Sequence, residues 1–223
     1  MTERHAASYE ALRIRVVALI QDTETARLEQ IAPATPQWRV RDVFGHMVGV
    51  GDDVVNGRLD RIASDEWTAA QVDRRRDVPV GELVDEWAAV GPAFEQMLGA
   101  APEPIAGQAV FDAVTHEHDI RQAIGCPGAR DAECVGVSWD WFLGTRTQAG
   151  APAICFVTER GEEIAGTGAP QLTVRAPTFE LLRAATGRRT RAEMERFEWE
   201  PAPDVDRLIA APFFTIRTET LGE

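Results

Sequence analysis

The sequence predicts a chain of class α plus α+β: an N-terminal four-helix bundle over residues 1–149, then a small α+β unit over residues 150–223. Three observations carry this reading. Apolar residues recur every three or four positions through the first two thirds of the chain, the period of helices with one buried face. Near Gly150-Ala151-Pro152 the pattern changes to short apolar runs separated by glycine turns. The composition, 44% hydrophobic and 26% charged over 223 residues, is that of an ordinary globular protein with enough chain to bury a sizeable core.

The first helix is carried by Leu12, Val16, Leu19, Ile20 and Ile31, with Glu24, Arg27 and Glu29 on the opposite face. Two prolines in Ala32–Gln37 then stop it, because neither can continue a helical ladder. A second helix is expected from Val40 to Ile62, with Val43, Phe44, Met47, Val54, Val55 and Leu59 inward and Asp42 at the positive end of its dipole. The run Arg74-Arg75-Arg76-Asp77 reads as a solvated connection. Val80, Leu83, Val84, Trp87, Val90, Phe94, Met97 and Leu98 outline a third helix, in which Pro92 predicts a kink or break. A fourth spans Gly107–Ile124 and is closed by Gly125 and Pro127. A fifth, over Val135–Leu143, is dense in aromatics and is assigned to the bundle.

In the second unit, residues 153–157 and 171–175 read as strands, with a turn at Arg160-Gly161. Pro177 suits a helix start, and Phe179, Leu181, Leu182 and Ala185 lead to a stop at Gly187. Thr190 and Glu193 have capping-box spacing and open a short helix through Phe197. Residues Phe213–Arg217 are expected to close the chain as a strand.

Charge and cysteine usage narrow the partners. Asp and Glu number 36 against 23 basic residues, all of them Arg, for a formal charge of −13. Such a surface repels phosphate backbones and anionic lipid, so neither nucleic acid nor membrane is an expected partner. Cys126, Cys134 and Cys155 form no Cys-x-x-Cys pair, which argues against a disulfide framework or a zinc ribbon and for reduced, apolar-packing thiols in a cytoplasmic protein. The N-terminal residues carry charges throughout and do not resemble a signal peptide, and no apolar run approaches the ~18–20 residues of a membrane span.

Four histidines are available for chemistry: His5, His46, His116 and His118. His5 is assigned to a frayed terminus. On a helix turning about 100° per residue, Asp112 and His116 fall about 40° apart, Asp119 lies close to both, and His118 points the other way. His46 sits among inward-facing apolar residues, beside Gly45, whose cost of about 1 kcal/mol relative to Ala is repaid if the backbone must approach something closely. Two helices presenting His46, Asp112 and His116 toward one interior point would offer a divalent ion two imidazoles and a carboxylate, with a coordination position left free. By spacing alone, the same residues also suit a hydrogen-bonded core.

Two segments carry a family resemblance. Thr35-Pro36-Gln37-Trp38-Arg39-Val40-Arg41-Asp42-Val43-Phe44-Gly45-His46 resembles one motif of the mycothiol-dependent maleylpyruvate isomerase family, and His116-Glu117-His118-Asp119-Ile120-Arg121-Gln122-Ala123-Ile124-Gly125 resembles another. The C-terminal part, around Gly166–Pro170 and Leu181–Arg189, resembles the family's sterol-carrier-protein-like domain. The resemblance implies a DinB-like four-helix bundle holding a divalent metal, usually zinc, on His46, Asp112 and His116, with mycothiol as thiol cosubstrate in a cytoplasmic, actinobacterial enzyme. It implies either cis–trans isomerisation or S-transfer to a small electrophile such as maleylpyruvate. A metal of charge +2 deprotonates a coordinated thiol whose ordinary pKa is near 8.5.

This sequence departs from the family pattern at Asp112, where a longer Glu is usual, and at Arg39, where Ser or Thr usually caps the helix. Asp119 suits two roles equally: orienting a ligand histidine from behind, or forming a helix-surface or interhelical ion pair with an arginine. Trp38 reads as a core anchor at the bundle end. Arg121, Arg188, Arg189 and Arg217 are cations available to an anionic substrate, with none assigned. The rival readings are a non-catalytic small-molecule-binding protein with a degraded metal site and a metal-dependent hydrolase that uses water in place of thiol. A monomer and a homodimer are equally compatible with the sequence.

Overall fold

In the computed structural model, which describes residues 2–211 and 214–223, the helical periodicity becomes a layered arrangement of long helices. The first unit, Met1–Gly128, contains α1 (Thr2–Gln21), the single turn α2 (Thr25–Leu28), α3 (Val40–Val55), α4 (Asp65–Arg75), α5 (Val80–Ala100) and α6 (Glu103–Ala123). Helices α1 and α3 each pack against both α5 and α6, and α4 lies along α3. Their apolar stripes meet in a core that includes Tyr9, Leu12, Phe44, Met47, Trp87 and Phe94, each fully buried or nearly so. Burial at ~1.5–3 kcal/mol for each such aliphatic or aromatic side chain is the main force holding the helices together. Tyr9 meets Phe94 edge to face at 4.9 Å. Half-buried ion pairs fix how α1 sits on its neighbours: Arg13 Nε donates to Glu95 on α5 at 2.6 Å, and Arg15 donates to Glu117 on α6 at 2.6 Å.

The first unit corrects several expectations. The opening helix stops at Gln21, and Ile31, expected on its apolar face, is exposed. The second ends at Val55, well short of Ile62, because Asn56 and Gly57 terminate it, with Gly57 at φ 69°; Leu59 and Ile62 are consequently exposed. Residues 65–75 form α4, whose N-cap Ser64 accepts from the Trp67 backbone N–H; Arg75 is buried rather than part of a solvated connection. Helix α5 runs unbroken through Pro92. His5 is buried within α1 rather than frayed.

The second unit, Ala129–Glu223, contains α7 (Glu133–Gln148), β1 (Ile154–Thr158), β2 (Gly161–Ala165), β3 (Thr173–Arg175), α8 (Thr178–Ala185), α9 (Arg191–Met194), β4 (Glu198–Glu200) and a 3-10 turn over Val205–Leu208. The chain therefore divides after Gly128, whereas the sequence placed the change after residue 149; α7 packs on α8 and β2 and belongs with the sheet. The strand order is β2-β1-β3-β4, antiparallel except for the parallel β1–β3 pair, in which Phe156 faces Val174. Phe156 closes an aromatic cluster with Trp139 (5.1 Å between centroids) and Phe142 (6.0 Å) from α7. The mixed α/β character agrees with an α+β assignment.

Thr190 and Glu193 exchange the two hydrogen bonds of a capping box, as their spacing requires, but α9 ends at Met194 rather than Phe197. Gly187 ends α8 at φ 71°, where a Cβ would meet the Thr215 carbonyl oxygen at 2.3 Å. The expected closing strand does not form over residues 214–217: Arg217 makes an isolated bridge to Thr190, and Phe213 lies outside the described residues. Strands β2 and β4 are short, polar and half-exposed, which is why periodicity did not reveal them. No helix among the described residues is long and apolar enough to cross a membrane.

Candidate metal centre

The loop before α3 sets the first piece in place. Ala32 N–H donates to the Trp38 carbonyl and Trp38 N–H to the Thr35 carbonyl, both at 2.9 Å, so the Thr-Pro turn delivers the Trp38 ring to the start of the helix. Arg39 caps α3 in an unusual way. Its backbone N–H donates to Asp42 Oδ2 at 2.9 Å, and its guanidinium embraces the same carboxylate at 2.9 and 2.8 Å. Burial opposes ionisation of Asp42, but these contacts outweigh it and hold its carboxyl below the usual range. One turn on, His46 projects into the interior.

Helix α6 supplies the rest. Asp112 and His116, one turn apart, face His46 across the α3–α6 contact, and one donor atom from each of the three lies within 4.8 Å of the others. His46 Nε2 is 3.5 Å from Asp112 Oδ2, and His116 Nε2 is 3.6 Å from Asp112 Oδ1. Those separations are long for direct hydrogen bonds. They are close to the ~3.3–3.5 Å between neighbouring donors around a tetrahedral ion with bonds of about 2.0–2.1 Å. Both histidines are buried, whereas the Asp112 side chain is 40% exposed and opens the cluster to solvent. The shorter carboxylate thus lies beside both imidazoles.

Partners behind the histidines leave their Nε2 atoms facing inward. His46 Nδ1 lies 2.8 Å from Gln71 Oε1 on α4, and Gln71 Nε2 donates to Asp53 Oδ2 at 3.0 Å. His116 Nδ1 lies 3.3 Å from Asp119 Oδ2, a fully buried carboxylate, in a charge contact without good hydrogen-bond alignment. Asp119 thus lies beside the His116 ring on its Nδ1 side.

Electrostatics couple the three side chains. Burial disfavours a charged His116, but Asp112 and, more weakly, Asp119 outweigh it and push its pKa up to about 9. Partial burial likewise opposes ionisation of Asp112, yet His116 and His46 hold its carboxyl far below the usual range. A concentrated negative charge facing two imidazoles is a cation-seeking arrangement. The donor set, two nitrogens and one carboxylate oxygen, suits zinc and similar divalent ions.

Other candidate residues are occupied elsewhere. Arg121 donates to Glu117 at 2.8 Å, and Arg189 to Glu180 and Glu223, each at 2.7 Å. Arg188 holds the Thr186 carbonyl and lies over the Phe214 ring, and Arg217 holds the Glu219 carbonyl. Cys134 is buried as expected, but Cys126 is exposed and Cys155 only half-buried. Sequence reasoning missed the role of Trp38: rather than serving only as a core anchor, its half-buried ring lies 5.5 Å from that of His46 and 6.2 Å from that of His116. It also missed Gln71 and Asp53. The glycine pair Gly45 and Gly49, one turn apart on α3, was the available signal that another helix approaches there. Comparisons with protein-family models, curated proteins and solved structures find no match for this chain.

Proposed function

We propose that the chain is a divalent-metal enzyme of the mycothiol-dependent isomerase type, with zinc on His46, Asp112 and His116, and that it activates a low-molecular-weight thiol toward a small electrophile. The observation that carries this reading is the convergence of two buried imidazole Nε2 atoms on one half-exposed carboxylate, at separations that suit a shared ion better than direct hydrogen bonds. When bound, the metal supplies a Lewis acid that favours the thiolate form of a coordinated thiol. In that role His46 and His116 would provide neutral donors and Asp112 would lower the net charge, while Asp119 and Gln71 lie behind the two rings. Trp38 walls one side of the cluster. The reach of Asp112 to both histidines favours this reading over a degraded site.

Mycothiol consumption in the presence of an electrophile panel that includes maleylpyruvate, run with wild type and His116→Ala, tests the proposal. Turnover by wild type and its loss in the variant are expected. Equal turnover by both would refute the catalytic assignment; ester cleavage without any thiol would point to a hydrolase, and absence of stoichiometric metal after dialysis to a binding protein.

A further inference from the structure

Gln71 and Asp53 are both buried, and together they form a directional chain behind His46. A neutral imidazole can carry its proton on either nitrogen, and at His46 the two choices compete. Asp112, 3.5 Å from Nε2, would draw the proton to the metal-facing side. A proton there would occupy the lone pair that a metal needs. The opposite nitrogen faces Gln71, whose side-chain amide could offer either its oxygen or its NH2 group. Asp53 removes that freedom. Its carboxylate has only acceptors to offer, it sits 3.0 Å from the Gln71 amide, and Arg58 Nε and Arg74 Nη2, each at 2.6 Å, donate to it and hold it in place. The amide NH2 must therefore face Asp53, its oxygen must face His46, and Nδ1 must be the donor.

We infer that Asp53, acting through Gln71, is a positioning residue that fixes the His46 proton on Nδ1 and leaves Nε2 bare for a metal. The backbone is shaped for this chain. His46 and Asp53 lie seven residues apart on α3, two turns or about 10 Å, and Gln71 from α4 spans the gap between them. Gly49 stands midway, and a Cβ there would meet Gln71 Cβ at 2.7 Å and Cγ at 2.9 Å. Glycine at this position is what lets α4 come close enough for the amide to reach both partners. The consequence for metal affinity rests on the metal-binding reading above; the assignment of the proton does not.

The test is 15N NMR of the His46 ring in the full-length, metal-free protein near pH 8, followed by zinc titration, for wild type, Gln71→Leu and Asp53→Asn. Wild type is expected to show a protonated Nδ1 and a bare Nε2. Gln71→Leu, which removes the acceptor, moves the proton to Nε2, and Asp53→Asn gives a mixture because the amide is free to turn. Both variants weaken zinc binding about 10–100-fold. An Nε2 proton in wild type overturns the inference, as does a folded variant with unchanged tautomer and zinc affinity. The wild-type spectrum decides the matter if the variants do not fold. Wild type with the Nδ1 proton but no zinc affinity supports the chain while defeating the metal reading; zinc binding with an Nε2 proton in the metal-free state does the reverse.

Discussion

His116 sets the terms on which a metal would enter. Raised to about 9 by Asp112 and Asp119, it carries a proton at neutral pH that an incoming ion must displace. Zinc affinity is therefore expected to fall about tenfold per pH unit below about pH 9, a slope readable by competition titration; a flat profile would mean that His116 is not a ligand. The same shift governs the stability of the metal-free protein. Since the folded pKa lies above the ordinary value of 6.5, the His116 contribution is complete below that pH and is lost as pH rises through about 9. The Asp112 shift has the opposite sign, so its contribution holds above about pH 4 and fades in acid. Denaturant midpoints of the metal-free protein should thus decline between pH 6 and 9.5. Asp112→Asn should remove the acid effect, weaken the alkaline one that Asp119 shares, and abolish stoichiometric zinc, as read by metal analysis after dialysis. The three residues of the cluster were legible because four histidines and one helical repeat left few combinations. Trp38 was not, since a tryptophan at a helix entrance looks the same whether it packs against core or against imidazoles.

At the scale of elements, the approach of α4 to α3 controls the cluster from behind. Gly49→Ala places a methyl 2.7 Å from Gln71 Cβ, where both partners are backbone-anchored and neither can swing away. Overpacking of this kind costs about 1–3 kcal/mol, and the displaced α4 should also loosen the Gln71 contact and weaken zinc binding. Gly45→Ala meets Arg75 Cβ at 3.3 Å and is expected to cost less. Urea denaturation paired with zinc titration distinguishes the two sites; equal losses would show that the Gly49 contact is not special. Helix α4 itself was hidden in the sequence because its polar residues are buried by pairing rather than by hydrophobicity. Arg75 meets Asp52 and Glu86, and Gln71 meets His46 and Asp53. A period of apolar residues cannot register a helix that is held by ion pairs and amide bonds.

For the whole molecule, a ligand that binds only the folded state raises its stability by mass action. Zinc at one hundred times its dissociation constant should add about 2.7 kcal/mol, seen as a higher Tm that EDTA reverses and that His46→Ala abolishes. An unchanged Tm across that zinc range would argue against a specific site. The sequence by itself determined the four long helices, the C-terminal glycine stop of α6, the capping box of α9, and the three residues that converge on α3 and α6. Each of these is local, encoded in spacing along one element or in a residue type that only one backbone conformation tolerates. Only the tertiary structure decided that α7 joins the sheet, that Trp38 borders the two histidines, and that Gln71 and Asp53 stand behind His46. Those facts depend on which faces of separate elements meet, and packing selects such pairings through contacts between residues far apart in the chain.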